Sequence, residues 1–134
     1  MNNNQDIVIV FPKIPFKELP EHLSAADNLV IPQRNTTDTK GQIPAKLFDA
    51  MAMAKPIITT PISDIPEVLG GYGYLIEPGK PEQLAKTIEN IFANPEEARI
   101  NGQNARKRCK ELYDLKVMAK ELNFQIEKLA LPHS

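Results

Sequence analysis

Short apolar runs alternate along this chain with segments whose apolar residues recur at helical spacing. The runs at residues 7–11, 29–31, 57–60 and 72–76 are rich in β-branched and aromatic side chains. Such runs are typical of strands buried on both faces of a parallel sheet. Apolar positions three and four residues apart predict helices elsewhere. The main predicted helices cover residues 20–26, 44–54, 81–93, about 95–112 and about 115–129.

The order of these elements predicts an α/β protein. Strands and helices alternate and are followed by further helices, which indicates a parallel sheet of about four strands with flanking helices and a helical C-terminus. The 134 residues suit one compact domain. Because no linker, internal repeat or low-complexity segment divides the chain, residues 1–134 are interpreted as a single domain.

Two local patterns refine the helices. Asp64 and Glu67 have the spacing of a capping box, so Asp64 is predicted to cap a helix that begins after it. The last predicted helix carries one apolar stripe, which comprises Met118, Leu122, Ile126 and Leu129.

Charge and cysteine content exclude several classes of function. Sixteen basic and seventeen acidic residues give no general attraction to nucleic acid or to anionic membranes. Every apolar run is far shorter than the ~20 residues of a membrane span, and residues 1–6 do not resemble a signal peptide. Cys109 is the single cysteine, which excludes an internal disulfide and a multi-cysteine metal site. We therefore expect a cytoplasmic protein without a metal or cofactor.

A basic cluster lies in the helix predicted at about residues 95–112, where Arg106, Lys107, Arg108 and Lys110 follow one another closely. Two acidic residues, Glu111 and Asp114, come directly after it. The mixture of charges predicts a solvated helix face in preference to a nucleic-acid-binding patch.

The start of the helix at residues 44–54 carries the candidate chemistry. Ile43 supplies no capping oxygen before Pro44, so the first N–H groups of the helix are open to a ligand. Lys46 in the first turn opposes the helix dipole at a cost of about 0.3–1 kcal/mol, which a bound phosphate would reverse. Asp49 lies on the same face and offers a carboxylate to two sugar hydroxyls. The alternative is a solvated Lys46–Asp49 pair of roughly 0.2–0.5 kcal/mol, and the residues alone leave both interpretations open.

The same segment carries a family resemblance. Residues 44–60, P-A-K-L-F-D-A-M-A-M-A-K-P-I-I-T-T, resemble the pattern P-x-K-x-x-E-A-M-A-x-G-K-P-V-V-A-T of GT-B glycosyltransferases. The similar enzymes are the group 1, retaining members, which use nucleotide sugars as donors.

Further motifs follow in the order of the family. Residues 19–32 resemble E-L-x-x-x-L-x-x-A-D-x-x-V-x-P, and S-D-I-P-E at 63–67 resembles g-g-x-P-E. G-Y-L-I-E-P-G at 73–79 is similar to G-x-L-V-x-P-G, residues 81–93 to the helix that begins D-P-E-x-L-A, and 101–108 to the G-x-N-A-R helix. Each motif alone is weak, whereas the ordered series covers nearly the whole chain.

The resemblance implies a partial Rossmann-like sheet and a role in binding the donor. In the family, the nucleotide sugar lies between two Rossmann-like domains. The carboxylate at the position of Asp49 holds the ribose, and the helix start near Lys46 faces the phosphates. The donor contacts that the resemblance implies are Pro44, Ala45, Lys46 and Asp49, with Gln42 and Arg34 in the preceding loop as further candidates.

Three positions depart from the family pattern. Asp49 stands where many members have Glu, Gly41 where they often have a second Glu, and Ala54 where they have Gly. The resemblance also begins partway through the C-terminal domain of the family, after its first strands and after the acceptor-binding domain.

These departures set the expected function and partners. We expect a donor-binding portion that is inactive alone, with no catalytic residue assigned and an unknown acceptor. Its expected partners are a UDP-, GDP- or ADP-sugar and either a second copy or a separately encoded chain, because an open parallel sheet edge favours pairing. No nucleic acid partner and no membrane span are expected. The alternative is a non-catalytic nucleotide- or protein-binding domain that retains the glycosyltransferase fold.

Overall fold

A parallel sheet of three strands organises the computed structural model, which describes residues 8–130. The strands are β1 (Leu29–Ile31), β2 (Ile57–Thr59) and β3 (Tyr74–Leu75), in the order β1-β2-β3. A 3-10 turn at Phe16–Glu18 leads into the first helix. The helices are α1 (Leu19–Ser24), α2 (Ala45–Ala52), α3 (Ile65–Leu69), α4 (Pro81–Ala93), α5 (Pro95–Leu112) and α6 (Leu115–Ala130).

The predicted α/β class is confirmed, with three strands among the described residues. Both strand pairs are parallel, and Ile58 of the central strand is in register with Val30 on one side and Tyr74 on the other. The central position explains why β2 is the most buried of the three strands, since parallel strands in the centre of a sheet are covered on both faces.

The strand predicted at residues 7–11 is wrong for the part that the structure describes. Val8 to Phe11 form no strand and are exposed, whereas residue 7 lies outside the described residues. A strand needs a neighbouring strand for its ladder, and this run has no such partner within residues 8–130. Phe11 instead packs edge-to-face on His22, with 5.5 Å between the ring centroids.

The core consists of two clusters that lie on opposite faces of the sheet. Ile57 belongs to the larger cluster and Ile58 to the smaller one, as the alternation of side chains along a strand requires. The larger cluster joins α2, α3 and α5, and the smaller one joins β3, α4 and the start of α5. The prediction of strands buried on both faces is therefore confirmed for β2 alone, because Val30 of β1 and Leu75 of β3 are exposed.

Helix α5 packs closely on the C-terminal end of α2. A Cβ added at Gly102 would lie 2.2 Å from the carbonyl oxygen of Ala54, so only glycine fits this contact. Arg106 donates a hydrogen bond to the carbonyl oxygen of Ala52 at 2.6 Å, and Ala105 is fully buried in the core. These contacts fix the axis of α2 and with it the position of the candidate site.

The basic cluster of α5 is only partly the solvated face that the sequence predicted. Arg106 reaches the end of α2, and Arg108 donates to the carbonyl oxygens of Val68 and Glu67 at 2.9 Å each. Arg106, Lys107 and Lys110 are exposed, as the solvated interpretation predicted, whereas Arg108 is half buried. Carbonyl groups in the last turn of a helix have no partner within that helix, and these guanidinium groups supply one.

The predicted capping box is also wrong. Asp64 is the N-cap of α3, but its side chain makes no capping hydrogen bond. Its backbone, with φ −90° and ψ 15°, lies outside the extended region that an N-cap residue normally adopts. In addition, Pro66 occupies the second helical position and has no N–H for the Asp64 carboxylate to accept.

The predicted α6 exists, but its apolar stripe is uncovered. None of its residues is buried, and Met118, Leu122, Ile126 and Leu129 are each at least half exposed. Periodicity places these side chains on one face of the helix, but it does not show what they contact.

Replacement of Ala54 by glycine is expected to stabilise the protein. Ala54 has φ 57°, a left-handed conformation that costs residues with a Cβ roughly 1–2 kcal/mol. We expect Ala54→Gly to raise the free energy of unfolding by about 1 kcal/mol in urea denaturation. The matched control is Ala52→Gly, at the last residue of α2, which should lower it by at most about 0.5–1 kcal/mol. A lower free energy of unfolding for Ala54→Gly than for wild type would show that the backbone at Ala54 is not strained.

Replacement of Gly102 by alanine is expected to have the opposite effect. Alanine is the better helix former by about 0.8–1 kcal/mol, so a net loss can only come from the contact with Ala54. We expect Gly102→Ala to lower the free energy of unfolding by about 1–2 kcal/mol. Gly41→Ala is the control, because nothing lies within 4 Å of a Cβ at that position. Equal stability of the two variants would exclude the close contact.

Candidate functional site

The N-terminus of α2 has an uncapped start, as the sequence predicted. Pro44 occupies the N-cap position in an extended conformation, with φ −66° and ψ 131°, and makes no side-chain capping bond. The first turn contains no acidic residue, and both Ala45 and Lys46 are exposed. The N–H groups at this end therefore have neither a side-chain cap nor a local negative charge.

Lys46 and Asp49 line one cavity of about 250 Å³. Asp49 is half buried, and the rest of the lining is apolar, with Leu19 and Leu23 of α1 opposite the side chains of β1. Within residues 8–130, Lys46 and Asp49 form no ion pair within 4.0 Å. The alternative of a solvated Lys46–Asp49 pair therefore has no support in the structure, and both charges remain available to a ligand.

Arg34 lies at a different cavity. This cavity, of about 310 Å³, lies at the carboxyl ends of the strands and is also lined by Thr60, Ile76, Glu77 and Lys80. The structure thus brings Lys46 and Asp49 together but does not place Arg34 beside them.

Gln42 lies in the loop between β1 and α2, which hydrogen bonds from Thr39 organise. The Thr39 hydroxyl donates to the carbonyl oxygens of Arg34 and Thr36. The N–H of Gln42 donates to the carbonyl oxygen of Thr39 at 3.2 Å, and the Gln42 side chain is exposed. Gln42 lines neither of the two cavities.

Two buried threonines that sequence reasoning missed hold the beginning of this loop. The Thr59 hydroxyl donates to the carbonyl oxygen of Ile31 at 2.8 Å. The Thr60 hydroxyl donates to the carbonyl oxygen of Gln33 at 2.8 Å and accepts the N–H of Gln33 at 3.0 Å. The sequence did contain a signal for these bonds, because two threonines end an otherwise apolar strand. Buried hydroxyl groups are almost always hydrogen-bonded, so each threonine is expected to have a partner nearby.

Other chemistry is limited within the part of the chain that the structure describes. No group of three or more His, Cys, Asp or Glu side chains in residues 8–130 is placed to hold a metal ion. Burial, with a smaller contribution from Asp114, raises the pKa of the Cys109 thiol, which disfavours the reactive thiolate. None of the helices described is long and apolar enough to cross a membrane.

Comparisons with known proteins identify the family. The family model "Glycosyl transferases group 1" matches residues 2–94, which include the whole sheet and α2. An uncharacterized glycosyltransferase from Methanocaldococcus jannaschii is 31% identical over 91 residues, which are 66% of this chain and 23% of that protein.

A solved structure shows the same architecture. Sucrose-phosphate synthase from Thermosynechococcus elongatus superposes with a TM-score of 0.83 and 26% sequence identity, over 95% of this chain and 31% of that one. The chain therefore spans less than a third of either relative. The family match over most of the chain and the superposition of its Rossmann-like α/β fold agree: this protein belongs to the group 1 glycosyltransferases, with the GT-B fold.

Proposed function

We propose that this chain is the nucleotide-sugar-binding portion of a glycosyltransferase and that it is inactive in sugar transfer by itself. The single observation that carries the proposal is the uncapped start of α2, with Lys46 unpaired among the described residues and Asp49 on the same cavity. Family membership supports the class of reaction.

The diphosphate is assigned to the first turn of α2. Open N–H groups and the positive end of the helix dipole both attract an anion, and Lys46 adds a full positive charge. Without an anion, this lysine is unfavourable for the helix. When a diphosphate binds, the open N–H groups, the helix dipole and Lys46 all attract it. Pro44 and Ala45 then lie beside the phosphates.

The ribose is assigned to Asp49. This residue lies one turn beyond Ala45, about 6 Å along the helix axis. The half-buried Asp49 carboxylate then accepts hydrogen bonds from two adjacent hydroxyls while the phosphates remain at the helix start. Gln42 and Arg34, in the preceding loop, lie outside the Lys46–Asp49 cavity, so only a part of the donor that extends beyond this cavity would contact them.

A partner chain completes the proposed enzyme. Strand β1 pairs only with β2 among the described residues, and Val30 on it is partly exposed. An open parallel edge favours pairing with another chain. A second copy or a separately encoded chain would cover this edge and supply groups on the opposite side of the donor.

Binding of UDP, GDP and ADP by the purified chain tests the donor site directly. We expect one of the three nucleotides to bind in isothermal titration calorimetry. Asp49→Asn should raise its Kd by about 10-fold or more, because hydrogen bonds to a charged group are lost. Lys46→Ala should also raise the Kd, and the effect should shrink at high salt.

Matched controls separate the site from general charge effects. Asp27→Asn and Lys86→Ala remove the same groups at exposed positions outside the Lys46–Asp49 cavity, and they should leave the Kd unchanged. Absence of binding by all three nucleotides, or equal affinity of Asp49→Asn and wild type, would refute the donor-site assignment.

The second candidate, a non-catalytic nucleotide- or protein-binding domain, rests on Gly41, since the carboxylate that many family members have there is missing. Transfer assays distinguish the two. With radiolabelled UDP-, GDP- or ADP-sugar, we expect no transfer by the chain alone and transfer after addition of a polypeptide that supplies the acceptor-binding domain. Nucleotide binding without transfer in any combination would favour the second candidate.

A further inference from the structure

A second cavity adjoins the Lys46–Asp49 cavity in the groove between α1 and α2. It has a volume of about 140 Å³, and Leu19, Leu23 and Asp49 line both cavities. It is here called the apolar slot. The remaining residues that line it are all apolar and comprise Phe16, Pro20, Ala52 and Met53.

The apolar slot lies on the side of Asp49 that faces away from the start of α2. Lys46, Asp49 and Met53 follow one another along one side of the helix, and Met53 is its C-cap residue. The helix rises about 4.5 Å from Lys46 to Asp49 and about 6 Å from Asp49 to Met53. The ribose of a nucleotide joins its phosphates to its base. A ribose on Asp49 with its phosphates at the helix start therefore directs the base into the apolar slot.

The apolar slot offers a base contact surface but no side chain that recognises its edge. Of the described residues that line it, only Asp49 has a polar side chain, and its carboxylate is assigned to the ribose. The carbonyl oxygen of Ala52 already accepts a hydrogen bond from Arg106. The carbonyl oxygen of Phe16 accepts one from the N–H of Leu19. A base in this slot is therefore held by stacking and apolar contact.

Phe16 offers the stacking surface. Its side chain lines the apolar slot and is 82% exposed, so its ring is accessible to a ligand. Phe16 begins the 3-10 turn Phe16–Glu18, which a hydrogen bond from the N–H of Glu18 to the carbonyl oxygen of Pro15 holds in place. Aromatic rings stack on every kind of base, so Phe16 contributes affinity, and discrimination between bases depends on the size of the slot.

The size of the apolar slot suits a single six-membered ring. An engineered apolar cavity of about 150 Å³ in another protein holds benzene, and the slot has about 140 Å³. A pyrimidine has one such ring, whereas a purine adds a second ring with an N7 acceptor. None of the described residues that line the slot has a side-chain donor for N7. A purine is therefore disfavoured by its size and by an acceptor that loses its hydrogen bond to water.

We propose that this chain selects a pyrimidine nucleotide, whose base lies in the apolar slot against Phe16. This inference rests on the proposed donor site, because it requires the phosphates at the start of α2 and the ribose on Asp49. It adds the class of base to that site. Uridine and cytidine nucleotides fit equally well, since no side chain in the slot distinguishes their edges.

Calorimetric titration of the purified chain with UDP, CDP, ADP, GDP and pyrophosphate tests the selectivity. UDP and CDP should bind with similar Kd values, and ADP and GDP should bind about 5-fold more weakly or worse. Equal affinity for all four nucleotides, or tighter binding of a purine, would overturn this proposal and leave the donor site in place. Binding of none of the five ligands would refute the donor site and this proposal with it.

Variants of Phe16 test the stacking contact. Phe16→Ala should raise the Kd for UDP about 5-fold or more, whereas Phe16→Tyr keeps the ring and should retain the affinity. Pyrophosphate does not extend to the apolar slot, so its Kd should be the same for Phe16→Ala and wild type. Phe92→Ala is the matched control, because it removes an exposed ring on α4 that lines neither cavity. Unchanged UDP binding by Phe16→Ala, or an equal loss of pyrophosphate binding, would overturn the role of Phe16.

Discussion

Helix α5 approaches the end of α2 so closely that a single methyl group would not fit between them. Gly102 leaves space for the carbonyl oxygen of Ala54, and Arg106 donates a hydrogen bond to the carbonyl oxygen of Ala52. Because side chains pack around this contact on both helices, it fixes the direction of α2 relative to the sheet. The candidate site lies at the opposite end of the same helix, so its position depends on a contact that is remote from any ligand.

The candidate site combines two effects that reinforce each other. An uncapped helix start is unfavourable in an empty protein, and so is Lys46 in its first turn, which forms no ion pair among the described residues; both become favourable when an anion binds. Buried Thr59 and Thr60 stabilise the beginning of the loop before α2, because their hydroxyls bond to the backbone as β1 ends. The loop and the helix start are therefore held by the sheet, which lowers the ordering cost of binding.

Both edges of the sheet and one helix leave open surface among the described residues. Strands β1 and β3 each pair on one side only, and α6 exposes Leu115, Met118, Leu122, Ile126 and Leu129. The chain spans 23% of one relative and 31% of the other, so most of each relative has no counterpart here. Exposed apolar patches and open edges are typical of interaction sites.

Sequence alone determined the α/β class, the bounds of α4 and α5, the uncapped start of α2 and the family, because periodicity, helix-terminal residues and ordered motifs are local properties of the chain. Only the tertiary structure decided the rest. Within residues 8–130, the apolar run at 8–11 lacks a strand partner, Arg106 and Arg108 bond to distant carbonyl groups, and Arg34 lies apart from Lys46. Each of these outcomes depends on a contact between groups that are far apart in the sequence. Such contacts cannot be predicted from the spacing or the chemistry of neighbouring residues.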